Sequence, residues 1–195
     1  MHIIGLMAKR VFVIHGWGGN PEEGWRPWFK KELEERGFEV IIPAMPDSDN
    51  PIMDKWVSYL AQIVGNPDEN TYFVGHSLGC ITILCYLEML NGGQKVGGAV
   101  LIAAFARDLN YEGYRGELSG FFAKPLDWRK IKKVCNKFAV IHSDDDKWVP
   151  PDFGEDVARC LNVEFTKVHG MKHFSGDDGI TKAPIILEKL LEMVG

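Results

Sequence analysis

The pentapeptide Gly75-His76-Ser77-Leu78-Gly79 decides how this chain folds. It matches the pattern G-x-S-x-G, in which a serine sits on a strained turn between a strand and a helix. A short apolar run precedes the motif and a longer one follows it, as this setting requires. We therefore predict that Ser77 is a nucleophile at the top of a sheet. The glycines two residues on either side should leave room for the neighbouring strand and helix.

Six short apolar runs predict the strands of the sheet. They are continuous rather than alternating, which is typical of strands covered on both faces. The runs are Arg10–His15, Glu39–Ile42, Thr71–Gly75, Gly98–Ala103, Phe138–His142 and Val163–Val168. Helical stretches separate them, and this alternation favours right-handed crossovers. We therefore predict an α/β-hydrolase fold: a three-layer sandwich with a six-stranded, mostly parallel sheet, in one domain over residues 1–195.

Amphipathic stretches predict the helices that cover this sheet. Apolar side chains recur at helical spacing within Trp25–Leu33, Ile52–Ile63 and Phe153–Leu161, and a last helix is predicted over Ile185–Val194. Ser77–Leu90 is apolar nearly all round, so we expect this helix to be the most buried.

The segment from residue 105 to residue 125 interrupts the alternation of strands and helices. It places Tyr111, Tyr114, Phe121 and Phe122 among glycines and charges. A connection of this length inside a compact domain is often a lid or a binding loop. The alternative is an irregular excursion that packs its own aromatic side chains.

The composition of the chain is that of a globular protein. It has 195 residues, 46% apolar and 25% charged, with a net charge of −5. A mildly acidic surface argues against nucleic acid as a partner.

No apolar run approaches the roughly 18 residues that cross a bilayer, and the start does not resemble a signal peptide. The four cysteines form no C-x-x-C pair. We expect a cytoplasmic protein without membrane contact, cofactor or metal, acting on a small molecule.

The acid partner of the serine should follow the fifth strand. A serine hydroxyl needs a base to take its proton and an acid to orient that base. In this fold the acid precedes the histidine along the chain. Three adjacent carboxylates, Asp144, Asp145 and Asp146, occupy the expected loop. Composition alone leaves the choice open. Hydrolases of this class commonly show Asp-x-x-Val-Pro, which selects Asp146, with Asp145 as the second choice.

The base should follow the last strand, where His169 and His173 both occur. His173 lies further into the loop and could swing over the sheet edge, whereas His169 ends the strand and has a structural interpretation. We therefore predict the triad Ser77, Asp146 and His173.

A metal site made of His142, Asp144 and His173 has no recognisable ligand spacing. For His76 and His15 we expect supporting roles at the elbow and in the first loop.

An oxyanion hole needs two backbone N–H groups. Leu78, the residue after the nucleophile, should supply one. Trp17, in the glycine-rich loop after the first strand, should supply the other. Aromatic side chains that could line a substrate pocket are Trp17, Phe121, Phe122 and Trp148. The alternative for these aromatics is packing in the core.

The stretch Ser119–Lys132, SGFFAKPLDWRKIK, resembles a segment of the retinoblastoma-binding protein 9 family of small serine hydrolases. The spacing from there through Asp146 to His173 is also similar, and the likeness covers residues 10–175. The resemblance implies a compact α/β hydrolase that lacks the two leading strands of larger relatives, with its triad on Ser77, Asp146 and His173. It also implies an esterase-like activity. The family's Leu-x-Cys-x-Glu sequence is absent, so binding to retinoblastoma-type pocket proteins is not implied.

These observations predict a carboxylic ester hydrolase that cleaves small or medium acyl esters through an acyl-enzyme. Thioesters and peptides remain alternative substrates, because the same triad serves all three. An interaction protein on an inactive hydrolase scaffold is the alternative from another class. A serine at the elbow excludes the aspartate-nucleophile chemistry of epoxide hydrolases and dehalogenases.

Overall fold

Six strands form a single sheet in the computed structural model, which describes residues 8–91, 93–109 and 118–195. The strands are β1 (Arg10–Ile14), β2 (Glu39–Ile41), β3 (Thr71–His76), β4 (Gly98–Ile102), β5 (Phe138–Ser143) and β6 (Phe165–Val168). Their order across the sheet is β2-β1-β3-β4-β5-β6. All five pairings are parallel, so the predicted sheet is confirmed and its described part is parallel throughout.

Helices cover the sheet on both faces. They are α1 (Arg26–Glu34), α2 (Met53–Val64), α3 (Leu78–Met89), α4 (Trp128–Val134), α5 (Pro151–Leu161) and α6 (Pro184–Val194), with a short 3₁₀ helix at Ser119–Phe122. Proline begins α5 and α6, where the missing N–H needs no partner. Asp127 caps α4 by accepting hydrogen bonds from the backbone N–H groups of Arg129 and Lys130.

Alternating strand side chains divide the core into two layers. In β1, Phe12 and Ile14 pack with α2, α3, α4 and α5, whereas Val11 and Val13 point to the opposite face, covered by α1 and α6. This is the period of two along a strand. The result is the predicted three-layer sandwich. Because both faces are covered, the strands carry continuous apolar runs.

Helix α3 is the most deeply placed helix, as its composition predicts. Its residues from Leu78 to Leu87 are all buried. The helix lies close to β1 at Gly79, where an added Cβ would stand 2.2 Å from the carbonyl oxygen of Ile14. Only a residue without a side chain permits this approach, so the second glycine of the elbow motif sets how deeply α3 can lie.

The described ends of the segment 105–125 pack on the core. Phe105 and Phe121 are almost fully buried. The Phe121 ring stands 6.3 Å from that of Trp56, and the rings of Phe105 and Phe122 are 5.7 Å apart. Residues 110–117, including Tyr111 and Tyr114, lie outside the described residues. The lid interpretation therefore stays a prediction.

Within the described part of the chain, no helix combines the length and the apolar character that crossing a membrane requires.

We predict that Gly79→Ala lowers the free energy of unfolding by at least about 2 kcal/mol, because the new methyl group must push α3 away from β1. Gly93→Ala is the matched control, since a Cβ there would meet nothing within 4 Å. Urea unfolding of both variants measures the difference. Equal stability of the two variants would show that the close approach at Gly79 does not constrain the fold.

Candidate active site

Ser77 lies on a strained turn between β3 and α3. Its φ of 53° and ψ of −121° fall in a region of backbone conformation where residues other than glycine are rarely found. The turn is held because the Ser77 N–H donates to the Ile102 carbonyl at 2.9 Å and the Cys80 N–H donates to the Ser77 carbonyl at 2.9 Å. This is the strand–turn–helix geometry that the motif predicts.

The loop after β1 passes directly beside this serine. A Cβ added at Gly16 would stand 2.9 Å from the Cβ of Ser77 and 3.3 Å from its Oγ. Glycine at this position lets a backbone segment approach the Ser77 side chain. Leu78, on the other side, is the first residue of α3, and N–H groups in the first turn of a helix have no acceptor within that helix.

His15 braces the loop after β1. Its Nε2 accepts a hydrogen bond from the Met45 N–H at 3.1 Å, so its proton is on Nδ1, which donates to the Gly16 carbonyl at 2.8 Å. Burial lowers the pKa of His15, which favours this neutral form. The Trp17 indole N–H donates to the Asp49 carbonyl at 2.9 Å. The expected bracing role of His15 is confirmed.

Asp146 and His173 meet at the edge formed by the carboxyl ends of β5 and β6. Asp146 Oδ2 is 2.8 Å from His173 Nδ1, and Asp146 Oδ1 accepts the N–H groups of Trp148 and Val149. Burial alone would raise the pKa of Asp146. Hydrogen bonds from His142 and His173 outweigh that effect and hold the pKa well below its usual range. The ionised carboxylate therefore places a proton on His173 Nδ1 and leaves Nε2 as the basic nitrogen.

The two neighbouring carboxylates have other partners. Asp144 bonds the exposed ring of His169 at 2.8 Å. Asp145 accepts the Ser143 hydroxyl at 2.6 Å and the Lys172 N–H at 2.9 Å. It thereby connects the loop after β5 that carries Asp146, here the acid loop, to the loop after β6 that carries His173, here the histidine loop. Composition could not separate the three carboxylates, but only Asp146 contacts His173.

The loop that carries His173 is fixed by contacts that sequence reasoning missed. Asp178 Oδ2 accepts the His173 N–H at 3.0 Å and the Ser175 hydroxyl at 2.8 Å. The next residue, Phe174, is fully buried at a φ of 57°, and the Trp25 indole donates to its carbonyl at 3.1 Å. In the sequence, Asp178 looks like part of a solvated acidic turn, so no signal marked it.

His76 supports the same loop from the elbow. Its Nε2–H donates to the backbone carbonyl of His173 at 2.6 Å, and the two rings are 4.9 Å apart. Burial, and secondly the charge of His173, lower the pKa of His76 well below its usual value, so the ring stays neutral. We expected His76 to support the elbow itself; the hydrogen bond of its ring goes instead to the loop that carries His173.

Ser77 and His173 line one cavity with a volume of about 740 Å³. Of the four aromatic side chains predicted to line a pocket, Trp17 and Trp148 do so. Phe121 and Phe122 are absent from the described cavity wall, so their contact with a substrate stays a prediction. Phe121 is only 3% exposed and packs in the core with Phe122 beside it. Burial against other aromatic side chains stabilises both rings more than a solvated wall would.

An ion pair between buried Arg26 and partly exposed Glu23 forms part of the cavity wall and was not predicted. The Arg26 guanidinium is almost fully buried and lies 3.0 Å from Glu23. Its Nε–H donates to the Asn20 carbonyl at 2.8 Å, and Glu23 accepts the Gly176 N–H at 3.3 Å. Arg26 begins the amphipathic helix α1, where a charged residue normally indicates a solvated face. The pair links the loop after β1 to the histidine loop.

Among the residues whose structure is described, no group of three or more His, Cys, Asp or Glu side chains is arranged to hold a metal ion.

Two curated relatives match nearly the whole chain. The YdeN protein of Bacillus subtilis (strain 168) is 35% identical over 184 residues, which cover 94% of this chain and 95% of the relative. The serine hydrolase RBBP9 of Rattus norvegicus is 31% identical over 173 residues, which cover 88% and 89% of the two chains. The resemblance inferred from Ser119–Lys132 is thus confirmed.

Solved structures show the same fold. The crystal structure of the Bacillus subtilis ydeN gene product matches with a TM-score of 0.90 and 34% identity, over 96% of this chain and 99% of that one. A structure from a study of carboxylesterases of the thaumarchaeon Nitrososphaera gargenis matches with a TM-score of 0.70 at 16% identity, covering 96% and 90% of the two chains. The latter likeness concerns the fold alone. The predicted α/β-hydrolase fold is confirmed.

A sequence model of the family described as serine hydrolase matches residues 11–192. With the relatives and the fold, this match shows that the chain belongs to the family of small serine hydrolases that includes YdeN and RBBP9.

Proposed function

We propose that this serine hydrolase cleaves carboxylic esters of small or medium acyl groups through an acyl-enzyme on Ser77. The observation that carries the proposal is the 2.8 Å hydrogen bond between Asp146 and His173 beside a cavity that Ser77 also lines. An imidazole oriented by a buried carboxylate, next to a serine on an elbow, is the arrangement that acyl transfer needs. The hydrogen bond from Ser77 Oγ to His173 Nε2 is part of the proposal.

In the first step, Ser77 Oγ attacks the ester carbonyl while His173 Nε2 takes the hydroxyl proton. Asp146 stabilises the imidazolium that forms. The backbone N–H groups of Leu78 and Trp17 bind the oxyanion. His173 then gives its proton to the leaving alcohol, and the acyl group stays on Ser77.

In the second step, a water molecule, deprotonated by His173, attacks the acyl carbonyl. The acid leaves, and Ser77 regains its proton.

The wall of the cavity supports a substrate of limited apolar length. Trp17, Phe105, Leu109 and Leu118 provide apolar surface, whereas Arg26, with Glu23, Asp177 and Asp178, adds charge. A long acyl chain would have to desolvate part of this charged surface.

The four cysteines support a cytoplasmic location as part of the same proposal. Cys80, Cys85, Cys135 and Cys160 are all free thiols, and only Cys160 is exposed. Reduced thiols are usual in proteins of the cytosol.

We predict that a fluorophosphonate probe labels the wild-type protein and that Ser77→Ala abolishes labelling. The same substitution should lower kcat on p-nitrophenyl butyrate by about three orders of magnitude or more. Ser58→Ala, at an exposed position of α2, is the matched control and should label normally. A folded wild-type protein that takes up no probe would instead favour the interaction protein on an inactive scaffold.

We predict that Asp146→Asn lowers kcat on the same ester by about 10⁴, because the amide would hold the imidazole in the wrong tautomer. Asp144→Asn changes the exposed carboxylate that bonds His169 and serves as the control, with kcat expected within about twofold of wild type. Steady-state kinetics of Asp145→Asn complete the series. A larger loss from Asp145→Asn than from Asp146→Asn would show that the acid is assigned to the wrong residue.

We predict that kcat/KM falls along a series of p-nitrophenyl esters from butyrate to palmitate, because longer chains must lie against the charged part of the wall. Rates are to be compared below the solubility limit of each ester, with hydrolysis by Ser77→Ala subtracted. A clear preference for palmitate over butyrate would contradict the assignment of small or medium acyl groups.

A further inference from the structure

Asp146 lies close to a second histidine that the proposed mechanism does not use. His142, in β5, is fully buried, and its Nε2 lies 3.4 Å from Asp146 Oδ2. The same nitrogen lies 2.8 Å from the carbonyl oxygen of Val149, at the far end of the acid loop. One buried ring therefore faces both the carboxylate and the loop that carries it.

The surroundings of His142 fix where its proton lies. A carbonyl oxygen can only accept, so Nε2 must carry the hydrogen that reaches Val149. The other nitrogen, Nδ1, is buried and finds no hydrogen-bond partner in the described structure. Gly154 of α5 packs so closely that a Cβ there would stand 2.5 Å from Nδ1. These contacts make Nε2 the donor nitrogen of His142.

The hydrogen on His142 Nε2 points to the carbonyl of Val149, and Asp146 Oδ2 lies beside the same N–H group as a close electrostatic neighbour. The 2.8 Å contact to Val149 is the stronger, and a contact of 3.4 Å to Asp146 is long for a hydrogen bond. The effect on Asp146 should thus be smaller than that of His173, which bonds the same oxygen at 2.8 Å.

We propose that His142 is a positioning residue of this active site: its Nε2–H holds the Asp146 carboxylate toward His173 and withdraws part of the negative charge that His173 meets. This inference rests on the proposed triad. His142 touches neither the cavity nor a substrate, so it acts only through Asp146 and the acid loop.

The proposal predicts a direction for the pH dependence. Without the His142 donor, Asp146 would present more charge to the His173 ring, which would then hold its proton to a higher pH. A protonated His173 cannot act as the base, so the acid limb of kcat/KM would also move to higher pH.

Other charged and titratable groups near these residues set the background for that titration. Around His173 and Asp146 they are His76, Asp178, Asp145, Arg26 and Glu23. Around His142 they are Lys167, its register partner in β6, and Glu155 of α5, which pair with each other at 3.0 Å. None of these groups changes in the variants below.

The test compares His142→Gln with His142→Leu. The Gln side chain can place an N–H near the position of Nε2, whereas Leu removes the donor and keeps much of the volume. We expect His142→Leu to move the titration midpoint of the His173 imidazole, followed by NMR, upward by about 0.5 pH unit. The acid limb of kcat/KM on p-nitrophenyl butyrate should move by the same amount. His142→Gln should restore both midpoints to within about 0.2 unit of wild type.

Unchanged midpoints in His142→Leu, or equal shifts in Leu and Gln, would show that His142 only packs and would overturn the proposal. If His142→Leu does not fold, as judged by urea unfolding, His142→Met replaces it, because the flexible thioether side chain adapts to irregular gaps. The imidazole titration requires no substrate. A wild-type protein inactive on esters would therefore overturn the proposed function while the NMR comparison still decides the role of His142.

Discussion

The turn at Ser77 is the constraint on which both the sheet and the cavity depend. It sends the chain from the central strand β3 straight into the most buried helix, so neighbouring segments must come unusually close. Gly79 admits the backbone of β1, and Gly16 lets the loop after β1 pass beside the serine. The positive φ of Ser77 persists because hydrogen bonds on both sides of the turn hold it.

The parallel sheet explains why residues far apart in the sequence converge on one edge. Ser77 follows β3, Asp146 follows β5 and His173 lies beyond β6, and the carboxyl ends of parallel strands lie on the same side. Convergence alone would not orient the side chains. Each loop is held by a carboxylate that accepts backbone N–H groups, namely Asp146 in the acid loop and Asp178 in the histidine loop.

The sequence predicted the parts of this molecule that are encoded locally. The strands, the elbow at Ser77 and the order of acid and histidine follow from short-range patterns and a known chain order. The roles of Asp178 and Arg26 could not be predicted, because each depends on a contact with a loop that only the fold brings near. The sequence left the place of Phe121 open for a related reason: an apolar side chain in a loop has the same pattern whether it faces a cavity or the core.

The ion pair of Glu23 with the buried Arg26 also bears on how such a cavity can diverge among relatives. A guanidinium so well shielded from water is tolerated only while its carboxylate remains, since losing either partner leaves an uncompensated charge. The two positions should therefore covary, with the charges retained together or replaced together by a neutral pair. Diversification of this wall would then proceed by coupled exchanges.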